Sequence, residues 1–110
     1  KAMKAGDIIL LPFPFAELTS IKVRPAVVIG ITADKYKDLI VSAISSIVPE
    51  HLNKNEILIA PGSKNGLRVK SVIKVDRIVT VKRDSMIATL GKLSPGQLTI
   101  FKQKFKNIIV

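Results

Sequence analysis

The sequence predicts a mainly β domain, a small antiparallel barrel or half-barrel closed by one C-terminal helix. Three observations predict it. The chain has 110 residues, the length of a single domain. Seven short apolar runs, rich in β-branched residues, are separated by polar or Pro/Gly-bearing turns. The clearest helix signal stands at the end, where Ser94-Pro95-Gly96-Gln97 precedes an apolar stripe.

Lys1–Ala5 reads as a flexible lead, in part an addition ahead of Met3, and residues 6–110 as one domain. Ile8–Leu11 is a continuous apolar run, read as a strand that Pro12 ends. Pro12-Phe13-Pro14-Phe15 is extended, because each proline fixes φ and moves the residue before it out of the α region. Ala16–Lys22 reads as a loop. Val23–Ile31 is the second strand, with Pro25 near its start, where a missing N–H is tolerated. Thr32–Asp38 is a polar turn, Leu39–Val48 the third strand and Pro49–Asn55 a connector. Glu56–Ala60 is a short fourth strand, and Pro61–Gly66 is dense in turn formers. Ser71–Val75, Ile78–Val81 and Met86–Leu90 complete the seven. Ser94 then fits the N-cap, Pro95 the first helical position and Gln97 the third, a capping box. Beyond it Leu98, Phe101, Phe105 and Ile108 fall on one stripe. Lysines near the helix end suit the macrodipole.

Composition narrows the function. The chain has no cysteine and one histidine, His51. Disulfide scaffolds, thiolate zinc sites, cysteine nucleophiles and multi-histidine metal centres are excluded. A hydrophobic content of 47% excludes a largely disordered chain. No apolar run approaches the roughly 20 residues of a membrane span, and no signal-peptide pattern opens the chain. The expected setting is the cytoplasm, with no membrane partner. Eighteen Lys and Arg against eight Asp and Glu give a net charge of +10, which suits a polyanion and nucleic acid above all. Between residues 64 and 83, Lys64, Arg68, Lys70, Lys74, Arg77, Lys82 and Arg83 stand against Asp76 alone. Clustering favours a binding face over a solubility device. Phe101 and Phe105 belong to the helix stripe. Phe13 and Phe15 lie at a loop mouth and fit either base stacking or core anchoring.

The ordered segments Gly6-Asp7-Ile8-Ile9, Pro12-Phe13-Pro14-Phe15 and Arg24-Pro25-Ala26-Val27-Val28-Ile29 resemble the opening of the MazF/PemK-type toxins of toxin–antitoxin systems. The likeness continues through Ile40–Ser46, Gly66-Leu67, Ser71–Asp76 and Gly91–Pro95. It covers nearly the whole chain from Gly6 to about Phe105. The resemblance implies a homodimeric, SH3-like β-barrel with a C-terminal helix. It implies sequence-specific endoribonuclease cleavage of single-stranded RNA without metal or other cofactor, and an acidic antitoxin that blocks it. It also implies roles for particular residues. The motif arginine falls on Arg24, and the hydroxyl ending the third strand falls on Ser45, where Thr is common. An Arg-x-Asp element of one branch falls on Lys74 and Asp76, with lysine replacing arginine. The loop between the first two strands is shorter than in many members.

The residue types fit that chemistry. Metal-free RNA cleavage uses the ribose 2′-OH as nucleophile, and needs a base, an acid and positive charge on the phosphorane-like transition state. Arg24 can bind phosphate oxygens bidentately. Ser45 and Ser46 are adjacent, so a strand points them to opposite faces. Ser45 reads either as a phosphate-orienting hydroxyl or as a buried group bonded to backbone. Asp76 reads as a general base or as a structural ion-pair partner, and Glu17 is a weaker base candidate. Lys70, Lys74, Arg77, Phe15 and Glu17 are expected along the RNA path. His51 reads as a solvated loop residue. Two other functions share the pattern: a non-catalytic nucleic-acid-binding or protein-interaction barrel, and a toxin on the same scaffold that inhibits a topoisomerase.

Overall fold

The structure is a computed structural model and describes residues 2–14 and 21–110. Its strands are β1 (Asp7–Pro14), β2 (Ile21–Ile31), β3 (Leu39–Ser45), β4 (Glu56–Ile59), β5 (Ser71–Val81) and β6 (Ala88–Lys92). The helix is α1 (Pro95–Lys106). All pairings are antiparallel, in one sheet of order β4-β5-β3-β2-β1-β6. The sheet curls into a half-barrel.

Alternate residues of the central strands enter two cores. Ile8, Val27, Ile44 and Ile73 join Phe101 of the helix in the first. Ile9, Leu11, Phe13, Ala26, Val28, Leu39 and Val41 form the second on the opposite face. Burial on both faces is why Ile8–Leu11 reads as a continuous apolar run. The helix docks as its stripe implies: Phe101 is buried, with Leu98, Phe105 and Ile108 packed around the same core. Its capping box forms with both reciprocal bonds. Ahead of β1, Met3 packs against the second core and Lys4 N donates to Asp7 Oδ2.

The strands differ from the sequence reading in several places. β2 opens at Ile21, inside the expected Ala16–Lys22 loop, because Pro14 and Phe13 of β1 pair with Ile21 and Lys22. Six form rather than seven, because Ser71–Val75 and Ile78–Val81 are one continuous strand. Pro12 does not end β1. Beyond Leu10 the strand keeps its β2 partner but has no β6 partner, so a proline nitrogen there removes no bond to β6. β3 stops at Ser45 because its hydroxyl accepts the Ile47 N–H at 3.1 Å and turns the chain. A 3₁₀ turn at Arg83–Ser85 delays the last strand to Ala88.

The curl closes where the β4–β5 loop meets β6. Lys92 N donates to Lys64 O at 3.0 Å. Gly66 has φ +73, and a Cβ there would overlap the Leu90 backbone; one at Gly91 would overlap the Lys64 carbonyl. Asn65, nearly buried, holds the loop from within. Its Nδ2 donates to Ala60 O, and its Oδ1 accepts from Gly62 N and Leu67 N.

The β3–β5 ladder carries one irregularity. Ala43 faces Lys74, but Ser42 faces Ile78, so Val75, Asp76 and Arg77 have no counterpart on β3. The buried Ser42 hydroxyl donates to Val75 O at 2.8 Å, and Val75 N donates to Asn55 O at 2.9 Å. Replacing Ser42 with Ala strands a buried carbonyl, at a cost of about 1–3 kcal/mol. Thermal denaturation of Ser42→Ala should show a midpoint lower by roughly 5–10 °C. An unchanged midpoint would show that the hydroxyl is dispensable.

Candidate active site

Antiparallel partners share a sheet face. Ala26 faces Ala43, Ala43 faces Lys74, and Lys74 faces Glu56. Arg24 lies two residues before Ala26 and Ser45 two after Ala43, so both fall on that face at the same end of the sheet. There a groove of about 570 Å³ opens beside the second core. Arg24, Ser45, Lys74, Asp76 and Arg77 supply its polar wall. Phe13, Ala43, Ile44, Ile47, Ile78 and Val79 supply the apolar one. Asp76 and Arg77 are neighbours in sequence yet both reach the groove, because the irregularity at Val75–Arg77 relaxes strict alternation.

Each polar residue has a defined setting. Arg24 is half-buried. Ser45 is half-buried and accepts from Ile47 N, which leaves its own O–H to donate. Ser46 is exposed and does not line the groove. Asp76 is exposed and accepts from Asn55 Nδ2 at 3.0 Å on Oδ2. Lys74 Nζ stands 2.9 Å from Glu56 Oε2. The Glu56 side chain is 6% exposed and that of Lys74 32%. Glu56 Oε1 accepts from Asn53 N at 3.0 Å. The Asn53 N–H, and then the Lys74 ammonium, hold the Glu56 carboxyl below its usual value.

The other expected site residues stand elsewhere. Lys70 is exposed, just before β5, and does not line the groove. Phe15 and Glu17 lie outside the described residues. His51 is exposed, with Nε2 4.0 Å from Glu50 Oε1. The basic run of residues 64–83 is dispersed in space. Lys82 and Arg83 follow Val81, which faces Leu39, about 20 Å along the sheet from Ser45. Lys64 sits by β6. Of that run, Lys74, Asp76 and Arg77 reach the groove. Sequence reasoning missed Asn55 and Glu56. An acid opening the otherwise apolar strand Glu56–Ile59 was the available signal. Among the described residues no group of three or more His, Asp or Glu could hold a metal ion, and no helix is long and apolar enough to cross a membrane.

The family described as PemK-like, MazF-like toxin of type II toxin-antitoxin system matches residues 4–109. The chain belongs to this family. Solved structures share the toxin fold. An endoribonuclease from Mycobacterial species is similar with a TM-score of 0.71 at 12% identity, over 97% of this chain and 90% of that one. An endoribonuclease in complex with its cognate antitoxin, also from Mycobacterial species, gives 0.68 at 12% identity, over 96% and 93%. The Mycobacterium tuberculosis toxin MazF-mt6 gives 0.67 at 19% identity, over 92% and 93%. No curated protein matches the chain in sequence.

The Lys74–Glu56 ion pair behind the groove wall has a definite pH signature. A carboxyl whose folded pKa is depressed adds stability above its unfolded value, and that stability is lost as pH falls through the folded value. Wild type should therefore melt roughly 5 °C above Glu56→Gln at pH 7. The gap should close only below the ordinary glutamate range. Melting curves of both proteins from pH 7 to pH 2.5 check this, and a gap that persists at the acid end would assign it to packing.

Proposed function

We propose that this toxin is a metal-independent, sequence-specific endoribonuclease that cleaves single-stranded RNA, mRNA above all. One observation carries the reading. Three stretches far apart in sequence deliver Arg24, Ser45, and Lys74 with Asp76 and Arg77, to one groove. Cations, a hydroxyl and a carboxylate beside an apolar wall suit a phosphodiester flanked by bases.

The groove's parts fit the steps. The ribose 2′-OH attacks phosphorus, forming the O2′–P bond and breaking the P–O5′ bond. The 2′ proton goes to a base, for which Asp76 is the groove carboxylate; Asn55 occupies Oδ2, and a base needs only the other oxygen. Arg24 offers a planar fork to the developing phosphorane charge. The Ser45 O–H orients a phosphate oxygen. The departing 5′ oxygen takes up a proton from water in the open groove. The products are a 2′,3′-cyclic phosphate, or the 3′-phosphate after its hydrolysis, and a 5′-hydroxyl.

The proposal extends to partners. The net charge of +10 and the exposed apolar side chains of Ile47 and Ile78 in the groove suit an acidic antitoxin with apolar anchors. The resemblance adds a homodimer as the working state and the cytoplasm as the setting.

Incubating the purified toxin with a long single-stranded RNA in EDTA should yield defined cuts with those end groups. Activity lost in EDTA and restored by magnesium would defeat metal independence. Arg24→Ala should lower cleavage about a hundredfold, the scale of losing one oxyanion-type donor. Near-wild-type turnover would remove Arg24 from the mechanism. Asp76→Asn should slow cleavage while leaving the melting midpoint nearly unchanged; the reverse pattern would make Asp76 a structural partner of Asn55.

A further inference from the structure

We propose that Glu56 is a positioning residue for this toxin's cleavage, holding the Lys74 ammonium at a fixed point on the groove wall. The inference rests on the endoribonuclease reading and deepens it.

Glu56 does not line the groove. It reaches the groove only through Lys74, which it faces across β4 and β5. Both its oxygens are used: Oε1 by Asn53 N and Oε2 by Lys74 Nζ. A nearly buried carboxylate with both oxygens bonded cannot swing, so it is a fixed anchor. Lysine needs one. Its ammonium is a point charge on a flexible stem, without the planar fork that orients arginine. Left alone in an open groove it samples many rotamers, and fixing it costs entropy when substrate arrives. Glu56 sets its place beforehand and leaves the other N–H donors for a phosphate.

The anchor is part of a built segment. Asn53 accepts from Asn55 N through its side chain at 2.8 Å. Asn55 orients Asp76, and Lys104 Nζ of the helix donates to Lys54 O at 2.8 Å. One turn, residues 53–56, thus places two of the groove's charged side chains.

Charge gives the inference a distinctive readout. Glu56 lowers the positive potential behind Lys74. Removing its charge should draw RNA in more strongly while leaving the ammonium poorly placed. Steady-state cleavage of a short single-stranded RNA spanning a mapped cut site is measured for wild type, Glu56→Gln, Lys74→Gln and the double variant. Glu56→Gln should lower kcat about tenfold and lower KM about two- to threefold. In the Lys74→Gln background the Glu56 change should lower kcat no further, as required of a residue acting through Lys74. Melting midpoints identify folded variants. If Glu56→Gln does not fold, Glu56→Asp keeps the charge, withdraws it by one methylene, and should lower kcat by a smaller factor. Unchanged kcat in a folded variant beside an active wild type overturns the inference alone. So does a loss that multiplies with that of Lys74→Gln. A wild type that leaves RNA uncut overturns the ribonuclease reading and this inference with it.

Discussion

The break in register between β3 and β5 is the constraint on which the groove depends. In a regular strand Asp76 and Arg77 would point to opposite faces. Three unmatched residues free both to reach one groove. The break also exposes a problem, since Val75 loses its ladder partners on β3. Ser42 satisfies the carbonyl from inside the sheet and Asn55 the N–H from the β4 side. Asn55 then orients Asp76 through its side chain. The residue that repairs the backbone therefore also sets the site. Fold and function meet at Asn55, whose carbonyl serves the backbone and whose side chain serves the site.

The helix was the most legible part of the chain. Ser94, Pro95 and Gln97 act within four residues, and the stripe from Leu98 to Ile108 repeats locally. Such signals survive without knowledge of the rest of the fold. β5 was illegible for the opposite reason. Two consecutive charges at Asp76-Arg77 look like the end of an apolar strand, because pattern reports the surroundings of side chains and not the continuity of backbone. Pro12 misled similarly. A proline is incompatible with a strand paired on both sides, and only the sheet order shows that β1 lacks β6 beyond Leu10.

The candidate site was legible in its liners and not in its support. Arg24, Ser45, Lys74, Asp76 and Arg77, singled out in the sequence, line one groove. Lys70 does not, and the basic run it belongs to is dispersed by the curl. Sequence proximity overstated spatial proximity there. Glu56 was invisible because its partner lies 18 residues away on another strand. No periodicity spans such a pair. It becomes readable only through cross-strand register.

Preorganisation connects these observations. A phosphodiester brings its own negative charge, so attraction to a chain of +10 is easily obtained and distinguishes substrate from transition state poorly. Rate requires cations whose positions are set before the charge redistributes. On the proposed endoribonuclease reading, the groove would meet that need by bonding two of its charged groups to the frame: Lys74 to Glu56, and Asp76 to Asn55. Two of the chain's eight acidic residues are thereby placed where they weaken attraction. That arrangement is disadvantageous for a binder, whose affinity grows with every unpaired cation. It is advantageous for a catalyst, because an ammonium held by a carboxylate has less freedom to lose. The apolar wall of Phe13, Ile44 and Val79 adds to it, since fixed charges act more strongly where water is partly displaced. The placement of Glu56 thus favours the enzymatic reading of this groove over the binding one.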